Sequence, residues 1–252
     1  MIRRPPRSTQ GVSSAASDVY KRQESALRTG AGLVSVITRP ENVAIISKTT
    51  PEIMAHSADD RSDKISELFK RADVIAIGPG LGLDSWARDL FDRALNSEKQ
   101  LIIDADGLNL LADSPTKKDN WILTPHPGEA ARLLRCLNPE VQEDRLASLE
   151  KLIDKYGGVT LLKGNNTLVG AAGEIPFVVT AGNPGMSTAG MGDLLTGIIA
   201  ALCSQFKQVN PKILAALGAY IHALAGDQAA KSGERGIIAT DLFGELKDII
   251  NP

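Results

Sequence analysis

From Glu24 onward, short apolar runs alternate with stretches in which apolar residues recur every three or four positions. Runs of the first kind predict buried strands, and the second periodicity predicts amphipathic helices. Strands are expected at LVSVIT (33–38), DVIAIG (73–78), LIIDA (101–105), WILTP (121–125), VTLLKG (159–164), NTLVG (166–170) and IPFVVT (175–180); the last two can form a hairpin-like pair. A helix ends at ALRTGAG, stopped by Gly30 and Gly32. Further helices are expected at 62–72, 84–95 with Asp84 or Ser85 as cap, 127–134, 143–156, and about 188–204, 211–231 and 240–250. Pro127 and Glu129 suit the first turn of the 127–134 helix. Such alternation predicts an α/β fold with a mostly parallel central sheet and helices on both faces, without internal repeats.

Composition narrows the function classes. Of 252 residues, 43% are hydrophobic and 23% charged, enough to bury a large core. Lys and Arg number 28 against 30 Asp and Glu, a formal charge of -2 that argues against a nucleic-acid partner. The longest uncharged apolar stretch, Leu194–Cys203, is about half the roughly 20 residues that a membrane helix needs, so no membrane partner is expected. Cys136 and Cys203 lack a Cys-x-x-Cys arrangement, which leaves no disulfide framework or zinc-thiolate site. Both read as structural, and a cytoplasmic location is expected.

Residues 1–23 read differently. They carry Arg3, Arg4, Arg7, Lys21 and Arg22 against the single acid Asp18, and show neither strand nor helix periodicity. A transit peptide and a disordered tail are two readings. A third, which we favour, is a foreign leader similar to translated adapter-like ends of assembled gene fragments. The domain is therefore expected over 24–252.

In a parallel sheet, ligands bind at the carboxyl ends of the strands. GPGLG, DADGLN, TPHPGE, KGNNT and AGNPGMSTAGMGD all follow predicted strands, five polar or Gly-rich loops at one end of one sheet. The sharpest is Gly190-x-Gly192-Asp193, immediately before an apolar helix. Free backbone amides there can hold a phosphate or a developing oxyanion, and Asp193 can take a proton from a substrate hydroxyl. The plainer alternative makes Asp193 a helix cap and the glycines a turn. Lys163 can meet phosphate after its strand or be a surface lysine. His126, stiffened between Pro125 and Pro127, can face a ligand or be structural. Asp104, Asp106 and Asn109 form a polar cluster in which Asp106 reads as a helix cap. His222 reads as a helix-packing residue.

Together, GPGLG, DADGLNLL, ILTPHPGEAARLL, LLKGNNTLV, GNPGMSTAGMGDLLTGIIAAL and GERGIIATDL resemble the ADP- or ATP-dependent NAD(P)H-hydrate dehydratases, a family of ribokinase-like fold; the likeness runs in order over about residues 25–250. It implies an enzyme that phosphorylates the ring hydroxyl of hydrated NADH or NADPH and lets phosphate leave. It implies Asp193 as catalytic base and substrate contact, with Gly80, Gly82 and His126 at the substrate. Lys163, Gly164, Asn165, Asn166, Thr167, Gly190 and Gly192 are implied at the nucleotide. Mg²⁺ is implied near Asp104, through water, with Glu129 either ordering metal-bound water or capping its helix. A homo-oligomer, often a tetramer, and a separate NAD(P)H-hydrate epimerase are implied partners. Family members open with a strand, a Gly-rich loop and a small-residue helix leading into ALRTGAGLV; here the leader occupies that place, so one strand, one ligand loop and most of one helix are expected to be missing. Two other readings stand beside this one: a simple hydroxyl kinase of the same fold, whose product keeps its phosphate, and a nucleotide-binding protein without turnover.

Overall fold

The structure, a computed structural model, describes residues 14–58 and 62–251. In chain order its elements are α1 (Ser14–Arg28), β1 (Ser35–Thr38), α2 (Pro40–Thr49), β2 (Met54–Ser57), α3 (Ser62–Arg71), β3 (Val74–Ile77), α4 (Ser85–Leu95), β4 (Gln100–Ile103), α5 (Ala105–Asp113), β5 (Trp121–Leu123), α6 (Pro127–Leu134), α7 (Asn138–Glu143), α8 (Arg145–Tyr156), β6 (Val159–Leu162), β7 (Thr167–Ala171), β8 (Phe177–Val179), α9 (Met191–Gln205), α10 (Pro211–Ala229) and α11 (Leu242–Ile250). Strands β3 to β8 form one sheet in sequence order. Neighbours are parallel from β3 to β6 and antiparallel from β6 to β8. The expected mostly parallel α/β architecture and the hairpin-like pair are both present.

Strand alternation divides the core between the two faces of the sheet. Leu101 and Ile103 of β4 join one cluster with Phe91, Leu108, Leu133 and Trp121. Ile102 turns the other way, toward Leu194, Ile198 and Leu202 of α9. Each such side chain contributes about 1.5–3 kcal/mol on full burial. Helix α9 is apolar almost all round because it lies between the sheet and the outer helices α1 and α10.

Helix α2, strand β2 and helix α7 are not expected from the sequence, and helix α5 is anticipated only through the reading of Asp106 as a helix cap. Helix α2 buries only Ile46, too little for a periodic stripe. Helix α5 begins inside the DADGLN segment, and its turn is made by Ala105 in a left-handed conformation, φ 47°. That conformation is uncommon for a residue with a side chain.

The reading of residues 1–23 as lying outside the fold needs correction over 14–23; residues 1–13 lie outside the described residues. Helix α1 begins at Ser14 and packs along α9, so the helix expected to be mostly missing is present. Gln23 and Ser25 are buried, and Tyr20 stands edge-on to Phe243 with ring centroids 6.2 Å apart. Polar and small residues make this contact, so no apolar period announces it. The approach is close because Gly197 of α9 lacks a Cβ, which would overlap Ser25 Oγ and the Arg22 carbonyl oxygen.

Strands β1 and β2 form a separate parallel pair. A cavity of about 240 Å³ is lined by residues of both β1 and β3, with Gln23, Leu68 and Ala201 also in its lining. Its walls carry strand edges that are unpaired among the described residues.

Gly197→Ala tests the seating of α1. Overpacking of this kind costs about 1–3 kcal/mol, or roughly 2–4 °C of Tm per kcal/mol in a chain of this size. Thermal unfolding of the variant should show that loss; an unchanged Tm would mean that α1 does not sit against α9.

Candidate active site

The carboxyl ends of β3, β4, β5 and β6 converge beneath the start of α9. Close approach at the first of them depends on Gly78. Its φ is 128°, and a Cβ would run into the Asp104 carbonyl. Beyond β4, Asp104 is 2% exposed. Its Oδ1 accepts from Lys163 Nζ at 2.7 Å, and its Oδ2 accepts from Thr196 Oγ1 at 2.9 Å. Lys163 follows β6, and its N–H donates to the Pro125 carbonyl at 2.9 Å, which ties the loops after β5 and β6 together. The same ammonium lies 3.8 Å from Glu129 Oε2.

His126 begins α6 as its cap. Its Nδ1 accepts from the N–H groups of Gly128 (3.0 Å) and Glu129 (3.3 Å), and Glu129 Oε2 accepts from the His126 N–H at 2.8 Å. This is a capping box with imidazole in the usual place of a hydroxyl. The arrangement requires an unprotonated Nδ1. Burial, and then the Lys163 charge, hold the imidazole below its ordinary value, against the pull of Asp104. The side chain is nevertheless 56% exposed, with Nε2 3.4 Å from Glu129 Oε1. Glu129 thus does the capping side of its two expected roles.

Electrostatics in the cluster are tightly linked. Burial alone would lower the Lys163 ammonium, yet Asp104, Glu129 and Asp193 hold it above its ordinary value. Burial raises the Glu129 carboxyl, with Asp104 adding to the rise and Lys163 opposing it. Behind the cluster, burial and then the Lys163 charge push the His222 imidazole down to about 4, so it packs as the neutral form. Burial also pushes the Cys203 thiol up to about 12, an inert group as expected.

Helix α9 opens at Gly190, whose φ of 90° is left-handed. Gly192 faces Lys163 Nζ, which lies 3.3 Å from the position a Cβ would take. Asp193 is in the first turn and close enough to raise Lys163. Lys163, Asp104, Glu129, His126, Gly190, Gly192 and Asp193 are therefore gathered at one place. Asn165, Asn166 and Thr167 lie farther along their loop, where Thr167 Oγ1 donates to the Gly164 carbonyl at 3.0 Å. Gly80 and Gly82 have φ of 66° and 80°, and nothing crowds a Cβ position at Gly82. Asp106 is not the cap of α5. It accepts from the Gly82 N–H at 2.9 Å and from Asn109 Nδ2 at 3.3 Å, and so ties the GPGLG loop to the helix.

Two residues escaped the sequence reading. Thr196 is the lone hydroxyl on α9 between Asp193 and Ser204, and that isolation was a usable signal. Arg145 stands outside every Gly-rich loop and left no such signal.

Direct Mg²⁺ coordination does not fit the carboxylates present. Both oxygens of Asp104 are engaged, Glu129 is bound into its capping box, and no cluster of three His, Cys, Asp or Glu suited to a metal occurs among the described residues. A Mg²⁺ ion brought on a nucleotide's phosphates would keep several of its waters, so any contact with Asp104 would pass through water.

Residues 22–248 match the family described as NAD(P)H-hydrate dehydratase. A bifunctional NAD(P)H-hydrate repair enzyme of Coxiella burnetii is 48% identical over 230 residues, covering 91% of this chain and 46% of that protein. The chain thus spans about half the length of that relative. An ADP-dependent (S)-NAD(P)H-hydrate dehydratase of Enterococcus faecalis is 36% identical, with 83% of this chain and 72% of that one covered. The crystal structure of a ribokinase-like superfamily protein from Enterococcus faecalis superposes with a TM-score of 0.82 at 30% identity, covering 97% and 91% of the two chains. The fold is ribokinase-like.

Lys163→Ala should cost about 3–5 kcal/mol in urea unfolding, because it leaves buried carboxylates without their counter-charge. A loss below about 1 kcal/mol, the range of a surface pair, would show that the ion pair is solvated. For His222 the unfolded imidazole binds protons near its ordinary value of 6.5 and the folded one only near 4. Its contribution is therefore complete above about pH 6.5 and is lost as pH falls through about 4. Unfolding midpoints across that range should decline in the parent chain and flatten in His222→Leu.

Proposed function

The chain belongs to the NAD(P)H-hydrate dehydratase family, and on that premise we propose that it restores hydrated NADH and NADPH with ADP, or ATP, as phosphoryl donor. The observation that carries the reading is Asp193 in the first turn of α9, behind the glycine entrance Gly190–Gly192 and beside the Lys163 cluster.

In the proposed reaction the ring hydroxyl lies at the glycine entrance, and Asp193 accepts its proton as the hydroxyl oxygen attacks the terminal phosphoryl group. ADP thereby becomes AMP. The C–O bond then breaks with its electron pair leaving on phosphate, the ring nitrogen donates toward the vacated carbon, and loss of a proton from the adjacent carbon restores the double bond. The helix start offers N–H groups to the migrating phosphoryl oxygens. The exposed His126 side chain and the GPGLG backbone at Gly80 and Gly82 form the hydrated-cofactor side. Lys163, Gly164, Asn165, Asn166 and Thr167, with Gly190 and Gly192, form the nucleotide side. Mg²⁺ accompanies the phosphates and neutralises their charge.

A homo-oligomer is part of this reading. Ile213, Leu217 and Tyr220 are exposed at helical spacing on α10, and Phe177 and Val178 are exposed on the neighbouring β8. A cytoplasmic location and cooperation with an NAD(P)H-hydrate epimerase complete it. Among the described residues no helix is long and apolar enough to cross a membrane.

The decisive experiment supplies hydrated NADH with ADP or ATP and follows return of the reduced-nicotinamide absorbance. Asp193→Asn should slow that return about 10²–10⁴-fold, the usual contribution of a general base, while nucleotide affinity stays near that of the parent. A near-native rate would reduce Asp193 to a structural acid. A phosphorylated product that persists would make the chain a hydroxyl kinase, and nucleotide binding without phosphate release a binding protein.

A further inference from the structure

Arg145 occupies the first position of α8, directly after the cap Asp144, whose carboxylate accepts from the Ala147 N–H at 2.9 Å. A cation there faces the positive end of the helix dipole, so the needs of the helix do not account for it. Its guanidinium turns instead to the loop between β6 and β7. Nη2 donates to the carbonyls of Leu162 at 3.1 Å and Lys163 at 3.5 Å. Nη1 donates to the carbonyl of Asn166 at 3.1 Å and to that of Asn165. Four main-chain carbonyls, one at the end of β6 and three in the loop after it, converge on one planar fork. Gly164, with φ 147°, passes against the same group, where a Cβ would lie 3.1 Å from Nη2. Asn166 adopts a left-handed φ of 54° as the loop closes.

A planar trans peptide directs its N–H opposite to its C=O, and no described peptide bond is cis. The carbonyls of Lys163 and Asn165 point to Arg145, so the N–H groups of Gly164 and Asn166 point away from it. A fixed positive charge behind the carbonyls strengthens the positive ends in front. Two N–H groups of one short loop, aimed to the same side, can donate to an anion placed there.

We propose that Arg145 is a positioning residue that holds the 163–167 loop in the shape that receives the phosphates of an adenine nucleotide. The inference rests on the nucleotide role proposed above for that loop. Lysine cannot replace it: an ammonium keeps the charge but loses the fork that spans four carbonyls.

The test measures dissociation constants for ADP and for hydrated NADH by calorimetry on the parent chain, Arg145→Lys and Arg145→Gln. Hydrogen bonds to a charged group carry enough free energy that both variants should weaken ADP about tenfold or more, with hydrated NADH essentially unchanged. Unchanged ADP affinity, or equal weakening of both ligands, overturns the proposal. Should Arg145→Gln fail to fold, Arg145→Lys alone decides, since it retains the charge and the helix start. A parent chain that binds ADP without converting hydrated NADH refutes the dehydratase reading and leaves this comparison intact. A parent chain that binds neither ADP nor ATP overturns both, and one that binds only ATP moves the same comparison to ATP.

Discussion

Lys163 and Asp104 meet at 2.7 Å under the first turn of α9, and the placement of the site follows from that contact. Taking two charges out of water costs several kcal/mol per ion unless each is fully engaged. Asp104 meets that condition with Lys163 on one oxygen and Thr196 on the other, and Lys163 has Glu129 as a second neighbour. Because Asp104 follows β4, Lys163 follows β6, Glu129 lies in the first turn of α6 and Thr196 lies on α9, a single charge group aligns four elements. Asp193 stands one turn before Thr196 on the same helix, so its position is set by the same contact.

The glycines do a separate job at two points. Gly78 lets the end of β3 pass against the Asp104 peptide, and Gly190 turns the chain into α9 in a conformation other residues adopt at a cost. Without the first, β3 and β4 could not end side by side. Without the second, the N–H groups at the start of α9 would point elsewhere.

Much of this was legible in the sequence, because buried parallel strands are apolar and the loops after them are crowded with glycine and polar residues. Strands β3 to β6 and helices α4, α6 and α9 to α11 follow from that pattern, and so does the gathering of Asp104, His126, Lys163 and Asp193. What was not legible shares one physical cause, contact without an apolar period. Helix α1 docks through Gln23 and Ser25, α2 buries one isoleucine, and Arg145 acts on carbonyls that have no residue-type signature. Asp106 misled because an acid near a helix start suits a cap as well as the tie to Gly82 that it makes.

The separation of β1 and β2 from the six-stranded sheet bears on how this molecule opens. The pair and its crossover helix enclose a small core of Val36, Ile46 and Ile53, apart from the two large clusters. Amides in regions with few buried apolar partners exchange through local opening, at free energies below that of global unfolding. The amides of residues 35–57 are therefore expected to exchange at lower free energy than those beside Lys163 and Asp104, with Ile37, which packs on the larger cluster, as the main tie to be broken.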